Sequence, residues 1–256
     1  MNAFQEHFQD IDFRMNALIL TAALVGGSTV FGGAVGLVFK RTTKTFTDAV
    51  LSFAAGVMLA AAFIGLIMPS IEYGGVFKAV IGIFIGAFTV NFLDMLVPLI
   101  TAGQKKVNDD RLRRVFLFVM AIALHNLPEG IAAGVGFGSG DTGNALLIAL
   151  GIALQNIPEG MVIIAPMLSV GIPARRTFLL ASATGFVEVV GTMLGYFAVS
   201  FASFILPFAL SFAGGTMLYV ISDDLIPEVH ADGKAGFSTI AMITGFCLML
   251  LMSYLL

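Results

Sequence analysis

The sequence predicts an all-α integral membrane protein, eight transmembrane helices in an inverted-repeat architecture, and three observations lead there. Of the 256 residues, 58% are hydrophobic and only 11% charged, and the mean hydropathy is +0.99, a composition that suits lipid rather than water. Apolar runs of about twenty residues, enough to cross roughly 30 Å of hydrocarbon, recur between short polar breaks. The stretch A-L-H-N-L-P-E-G at 123–130 returns as A-L-Q-N-I-P-E-G at 153–160. The ten-residue alternation of a membrane barrel is absent, so helices must satisfy the backbone.

The elements follow in order as one transmembrane domain over 1–256. An N-terminal arm with Glu6, Asp10 and Asp12 lacks a basic region followed by a cleavage site, which predicts a short acidic arm, not a signal peptide. Spans are expected near 16–39, 46–69, 76–101, 115–138, 143–168, 177–200, 205–227 and 236–256. The loops after the first, third, fifth and seventh spans hold Lys40, Arg41, Lys44, Lys105, Lys106, Arg111, Arg113, Arg114, Arg175, Arg176 and Lys234, eleven of the 13 basic residues; only Arg14 and Lys78 fall on the other side. The positive-inside rule makes those loops cytoplasmic and both termini extracytoplasmic in a multi-pass cell (inner) membrane protein. The longest exposed loop, about 102–114, leaves no room for a soluble domain, so any function is performed within the membrane. A net charge of −3 is too small to imply a nucleic-acid partner, so none is expected, and the lone Cys247 can form no internal disulfide. Glycines three residues apart, as in Gly32/Gly36, Gly82/Gly86, Gly130/Gly134 and Gly191/Gly195, read as close helix packing in preference to a dimerisation signal; a homodimer stays open.

Ionisable residues inside the spans are few: Asp94, His125, Glu129, Glu159, Glu188, Asp223 and Asp224, with Glu72 and Glu228 near span ends. Each costs about 2.5–3.5 kcal/mol at the bilayer centre unless it meets a partner or water. Only His125 among them can be a cation, so a positive charge from outside the chain is implied. Counting from the fourth span's cytoplasmic start places His125 and Glu129 about 15–21 Å in, near the midplane; Gln155, Glu159 and Glu188 come out similarly deep. In each repeated motif the first residue and the glutamate are i and i+4, on one helical face. Asn126 and Asn156, rotated by about 100°, can feed a neighbouring site that shares those glutamates. Pro128 and Pro158 remove an N–H and are expected to open the two helices at Leu124 and Leu154, the pattern of a transporter's substrate site. The loop G-S-G-D-T-G forces these two spans to run in opposite directions. A weaker echo links L-I-M-P-S-I-E at 66–72 to L-I-P-E at 225–228.

At these residues the chain resembles the ZIP (Zrt/Irt-like) family of divalent metal transporters, over essentially its whole length, and within it the bacterial GufA-type branch, where an amide stands at the position of Gln155. The resemblance implies transport toward the cytoplasm through a binuclear centre. His125, Glu129, Gln155 and Glu159 would make one metal site; Asn126, Asn156 and Glu188 would make a second, with Glu129 and Glu159 bridging. The histidine-rich loop of many members is replaced by Q-K-K-V-N-D-D-R, which offers no metal capture. Glu188 is read as a metal or gating residue over a buried hydrogen bond. Asp223, Asp224, Glu228 and His230 are read as an exit path over a solvated helix end; Asp94 is balanced between a role in the path and a pairing with a loop arginine. Imidazole with carboxylate and amide oxygens suits Zn2+ or Cd2+ and admits Fe2+ or Mn2+, while the lack of thiolate argues against Cu(I). Two other classes compete with a transporter. An intramembrane metal-dependent hydrolase would need a free general base and an open water position, whereas here the order is H-x-x-x-E and every glutamate serves as a ligand. A metal sensor without flux is the other. The expectation is a transporter, not an enzyme.

Overall fold

The computed structural model describes residues 2–39, 43–102, 110–201, 203–230 and 235–255. The loop residues Lys40, Arg41, Lys105, Lys106, Asp109 and Lys234 lie outside the described residues, as do the side chains of His7, Asp110 and Arg111. All regular structure among the described residues is helical. In chain order it comprises α1 (Asn2–Val38), α2 (Lys44–Ala60), α3 (Met68–Gly74), α4 (Val76–Ala102), α5 (Asp110–Gly138), α6 (Thr142–Ser169), α7 (Ala174–Phe201), α8 (Leu206–Val220), α9 (Ile226–His230) and α10 (Ala235–Leu255). α1 begins at Asn2, so the acidic arm continues the first helix instead of standing apart from it. Seven helical stretches among the described residues are long and apolar enough to cross a membrane, and α5, at 29 residues, has the length to do so as well.

Proline was expected to break the fourth and fifth spans, yet α5 and α6 run through Pro128 and Pro158 without interruption. The distortions fall in the second and seventh spans. A π-helical segment, Ala61–Ile67, joins α2 to α3, and a second, Ile221–Leu225, joins α8 to α9. Each closes through a bond five residues back: Met68 N–H donates to the Phe63 carbonyl, and Ile226 N–H to that of Ile221. The chain gives a cause, since Pro69 and Pro227 lie just downstream and neither has an N–H for the carbonyl four residues earlier. For Pro69 that carbonyl belongs to Gly65, and the Asn144 side chain of α6 donates to it at 2.9 Å.

The inverted repeat is visible in backbone crossings, where glycine admits the close approach of a neighbouring helix. A residue in the first three spans corresponds to one 159 positions later, the separation of Thr29 and Glu188, which hydrogen-bond each other. Gly32 faces the Ile157 carbonyl and Gly191 that of Leu127; Gly36 faces the Met161 carbonyl and Gly195 that of Ile131. Gly56 meets the Met242 carbonyl as Gly215 meets that of Ile83, and Gly86 meets that of Phe212 as Gly245 meets that of Phe53. These crossings assemble two groups: α1, α5, α6 and α7 around the repeated motif, and α4 on α8 with α2 on α10 beside them. The third and eighth spans are the least enclosed, and their exposed Phe84, Phe88, Phe92, Ile240 and Ile243 suit lipid.

Candidate metal centre

α5 delivers His125, Asn126 and Glu129, α6 delivers Gln155, Asn156 and Glu159, and α7 delivers Glu188, all seven buried. The same glycine crossings hold their backbones: a Cβ on Gly130 would collide with the Glu188 carbonyl oxygen, and one on Gly160 with that of Thr29. Within this cluster Gln155 Nε2 donates to Glu129 Oε1 at 2.8 Å, tying the two motifs together across α5 and α6. Glu188 accepts from Thr29 Oγ1 at 2.7 Å, from Asn156 Nδ2 at 2.6 Å and from Asn126 Nδ2. Asn156 Nδ2 also donates to the Val25 carbonyl at 3.0 Å. Four acceptor oxygens in the cluster are buried without a hydrogen-bond partner: Glu129 Oε2, Gln155 Oε1, Asn126 Oδ1 and Asn156 Oδ1. Groups of this kind are costly in an apolar interior unless something electropositive meets them, so the arrangement is one that can take up a cation.

His125 turns the other way. Its Nε2 lies 3.2 Å from Asp224 Oδ2 and 3.8 Å from Asp94 Oδ1, and one ligand atom from each of these three residues lies within 4.8 Å of the others. His125 and Glu129 share a helical face, as their i, i+4 spacing requires, yet one faces the third and seventh spans and the other reaches α6. Asp94, which the sequence left balanced between two roles, therefore sits beside the histidine. The only sign of it in the chain was an acid inside an otherwise apolar span.

A cavity of about 370 Å³ connects the two groups, lined by His125, Glu129 and Glu159 together with Asp223, Asp224 and Glu228. Beside it lies a larger cavity of about 570 Å³, which shares Leu51, Val162 and Glu228 and is lined also by Lys44 and Asp48 of α2. Gln155, Asn126, Asn156 and Glu188 lie behind Glu129, outside both linings. His230 is also outside them; its Nδ1 lies 2.9 Å from the Ile226 carbonyl and its Nε2 3.3 Å from Thr239 Oγ1. Thr29 was missed, because a threonine in an apolar span carries no charge signal and only the crossing of α1 and α7 brings it to Glu188.

The model for the ZIP zinc transporter family matches residues 105–253. The chain is 33% identical to the zinc transporter GufA of Myxococcus xanthus, over 93% of this chain and 98% of that one. It is 33% identical to the zinc transporter ZIPB of Bordetella bronchiseptica over 89% and 79%, and 32% identical to the zinc transporter ZupT of Chlorobium luteolum over 94% and 98%. With the family model spanning more than half of the chain and these relatives aligned along most of it, this multi-pass membrane protein belongs to the ZIP zinc transporter family.

Proposed function

We infer that the chain moves zinc across the membrane toward the cytoplasm, binding it at the midplane through His125, Glu129, Gln155 and Glu159, with amide oxygens of Asn126 and Asn156 at the back of the site. The observation that carries this reading is the cavity onto which buried Glu129 and Glu159 open together with His125, Asp223, Asp224 and Glu228, set among apolar residues such as Leu51, Ile122 and Val220. A cation held by the two glutamates and His125 meets Asp94 and Asp224 next, and then Asp223 and Glu228 beside the larger cavity, whose Lys44 belongs to the basic end of the molecule. Such graded hand-over suits conduction, which needs sites that bind and then release. Among the described residues no thiolate lines either cavity, in keeping with a borderline ion, Zn2+ or Cd2+, ahead of Cu(I). The test is uptake of labelled zinc into proteoliposomes, with competition by cadmium, iron and manganese. Glu129→Ala and Glu159→Ala should each abolish it at equal protein incorporation, and near wild-type uptake in either would overturn the assignment.

A further inference from the structure

On the wall of the larger cavity an acid and a lysine of the same helix are paired, and neither belongs to the ligands assigned so far. Asp48 of α2 is buried, and Lys44 Nζ lies 3.0 Å from its Oδ1 and 3.3 Å from its Oδ2. The side chain of Lys44 is 46% exposed and that of Asp48 11%, so an ammonium near solvent reaches inward to the carboxylate. Both line the cavity of about 570 Å³ together with Glu228, and Glu228 also lines the cavity that holds His125, Glu129 and Glu159. The pair therefore stands where the ion's route continues past Glu228. Helix stability does not account for it. Lys44 is the first residue of α2, just after Thr43, whose hydroxyl caps the helix by accepting from Phe46 N–H at 3.3 Å. A cation in the first turn opposes the positive end of the helix dipole, and a lysine four residues before its acid is the weaker order for such a pair.

We propose that Asp48 is the last carboxylate, among the described residues, to take the ion on its way to the cytoplasm, and that Lys44 is its tethered competitor. The ammonium yields the carboxylate to the arriving ion and takes it back as the ion leaves. A zinc ion brings two charges against the lysine's one and binds carboxylate oxygens directly, so it can displace a half-exposed i, i+4 ion pair, which is among the weaker kinds. Because the ammonium is carried on the same helix, it returns as an intramolecular partner at a fixed effective concentration, whatever the concentration of metal outside. The site that results attracts the ion from Glu228 without keeping it, as conduction requires at its final step. Among the described residues that line the two cavities, Lys44 is the only lysine or arginine, which confines this competition to the basic end of the route.

This assignment rests on the transport reading above, and the experiment separates the two. Zinc uptake is followed in right-side-out membrane vesicles, whose lumen faces the cytoplasmic side of the membrane and is loaded with graded zinc. In Lys44→Gln the carboxylate has lost its competitor, so the lumenal zinc concentration that halves uptake should fall several-fold below the wild-type value. Adding Asp48→Asn to Lys44→Gln should reverse that shift, and Lys44→Arg, which keeps the cation, should not show it. A folding defect would lower the amount of active protein without moving the half-inhibiting concentration. Coincident inhibition curves for the wild type and Lys44→Gln, or a shift that Asp48→Asn does not reverse, would overturn the role of the pair while leaving the midplane centre intact. Wild-type vesicles that take up no more zinc than vesicles from cells without the protein would remove the transport reading and this role with it.

Discussion

At Gln155 the two related motifs differ in chemistry, with an amide where its counterpart is His125. The Gln155 amide nitrogen is engaged by Glu129, which leaves Oε1 as its only free ligand atom. A neutral amide oxygen is a weaker ligand for zinc than an imidazole nitrogen, which zinc prefers and which adds no net charge when neutral. Gln155→His should therefore lower the zinc KM by up to roughly tenfold, about 1.4 kcal/mol. The maximal rate should stay the same or fall, because an ion held harder leaves more slowly. Zinc and manganese uptake compared in the same vesicles provide the check: an unaltered zinc-to-manganese ratio would place Gln155 outside the ion's ligands. His125→Gln should shift the ratio the opposite way, by removing the one nitrogen donor from the cavity wall.

Among the elements, the crossings of α5 with α7 and of α6 with α1 set the geometry of the centre, and glycine is what permits them. A methyl group added at Gly130 would be driven into the Glu188 carbonyl, and at Gly160 into that of Thr29, with backbone on both sides and no flexible side chain to yield. Overpacking of this kind costs about 1–3 kcal/mol. Gly130→Ala and Gly160→Ala should lower the Tm of the purified protein and impair zinc uptake together, because both changes push apart the helices that carry the ligands. Gly27 lies in the same helix as Thr29 with no atom within 4 Å of an added Cβ. Gly27→Ala should be neutral or gain the roughly 0.5–1 kcal/mol of helix preference that alanine has over glycine. Equal Tm values for the Gly27 and Gly130 variants would dissociate glycine from the crossings.

For the whole molecule, the distribution of charge predicts an orientation and the inverted repeat sets the architecture. Eleven of the 13 basic residues gather on one side of the expected spans, and of these Lys44 is seen in the wall of the larger cavity with Glu228. The cavity system thus extends from the buried glutamates toward the face that the positive-inside rule makes cytoplasmic. In intact cells of a Cys247→Ser variant, a membrane-impermeant thiol reagent should label Ala3→Cys and spare Asn108→Cys. The reverse pattern would invert the molecule and with it the direction of the proposed exit.

The sequence by itself determined the helical membrane fold, since hydrocarbon leaves backbone polar groups no partner but one another, and that constraint is written in the length and spacing of apolar runs. It also picked out His125, Glu129, Gln155, Glu159 and Glu188, because polar groups at membrane depth stand out against their surroundings. The tertiary structure decided what faces what. The i, i+4 spacing put His125 on the face of Glu129 but could not tell that its ring meets Asp94 and Asp224, which arrive from two other spans. The Asn-x-Pro-Glu motifs promised broken helices, yet the π segments formed just before Pro69 and Pro227, and at the first of these a neighbouring helix supplies the missing donor, from Asn144 to Gly65. Thr29 was invisible until α1 crossed α7, because a hydroxyl in an apolar run gains meaning only from the carboxylate it reaches. Composition and periodicity report a residue's relation to its solvent and to its own helix, whereas the bonds around Glu188 join four helices, and that relation exists only once they are packed.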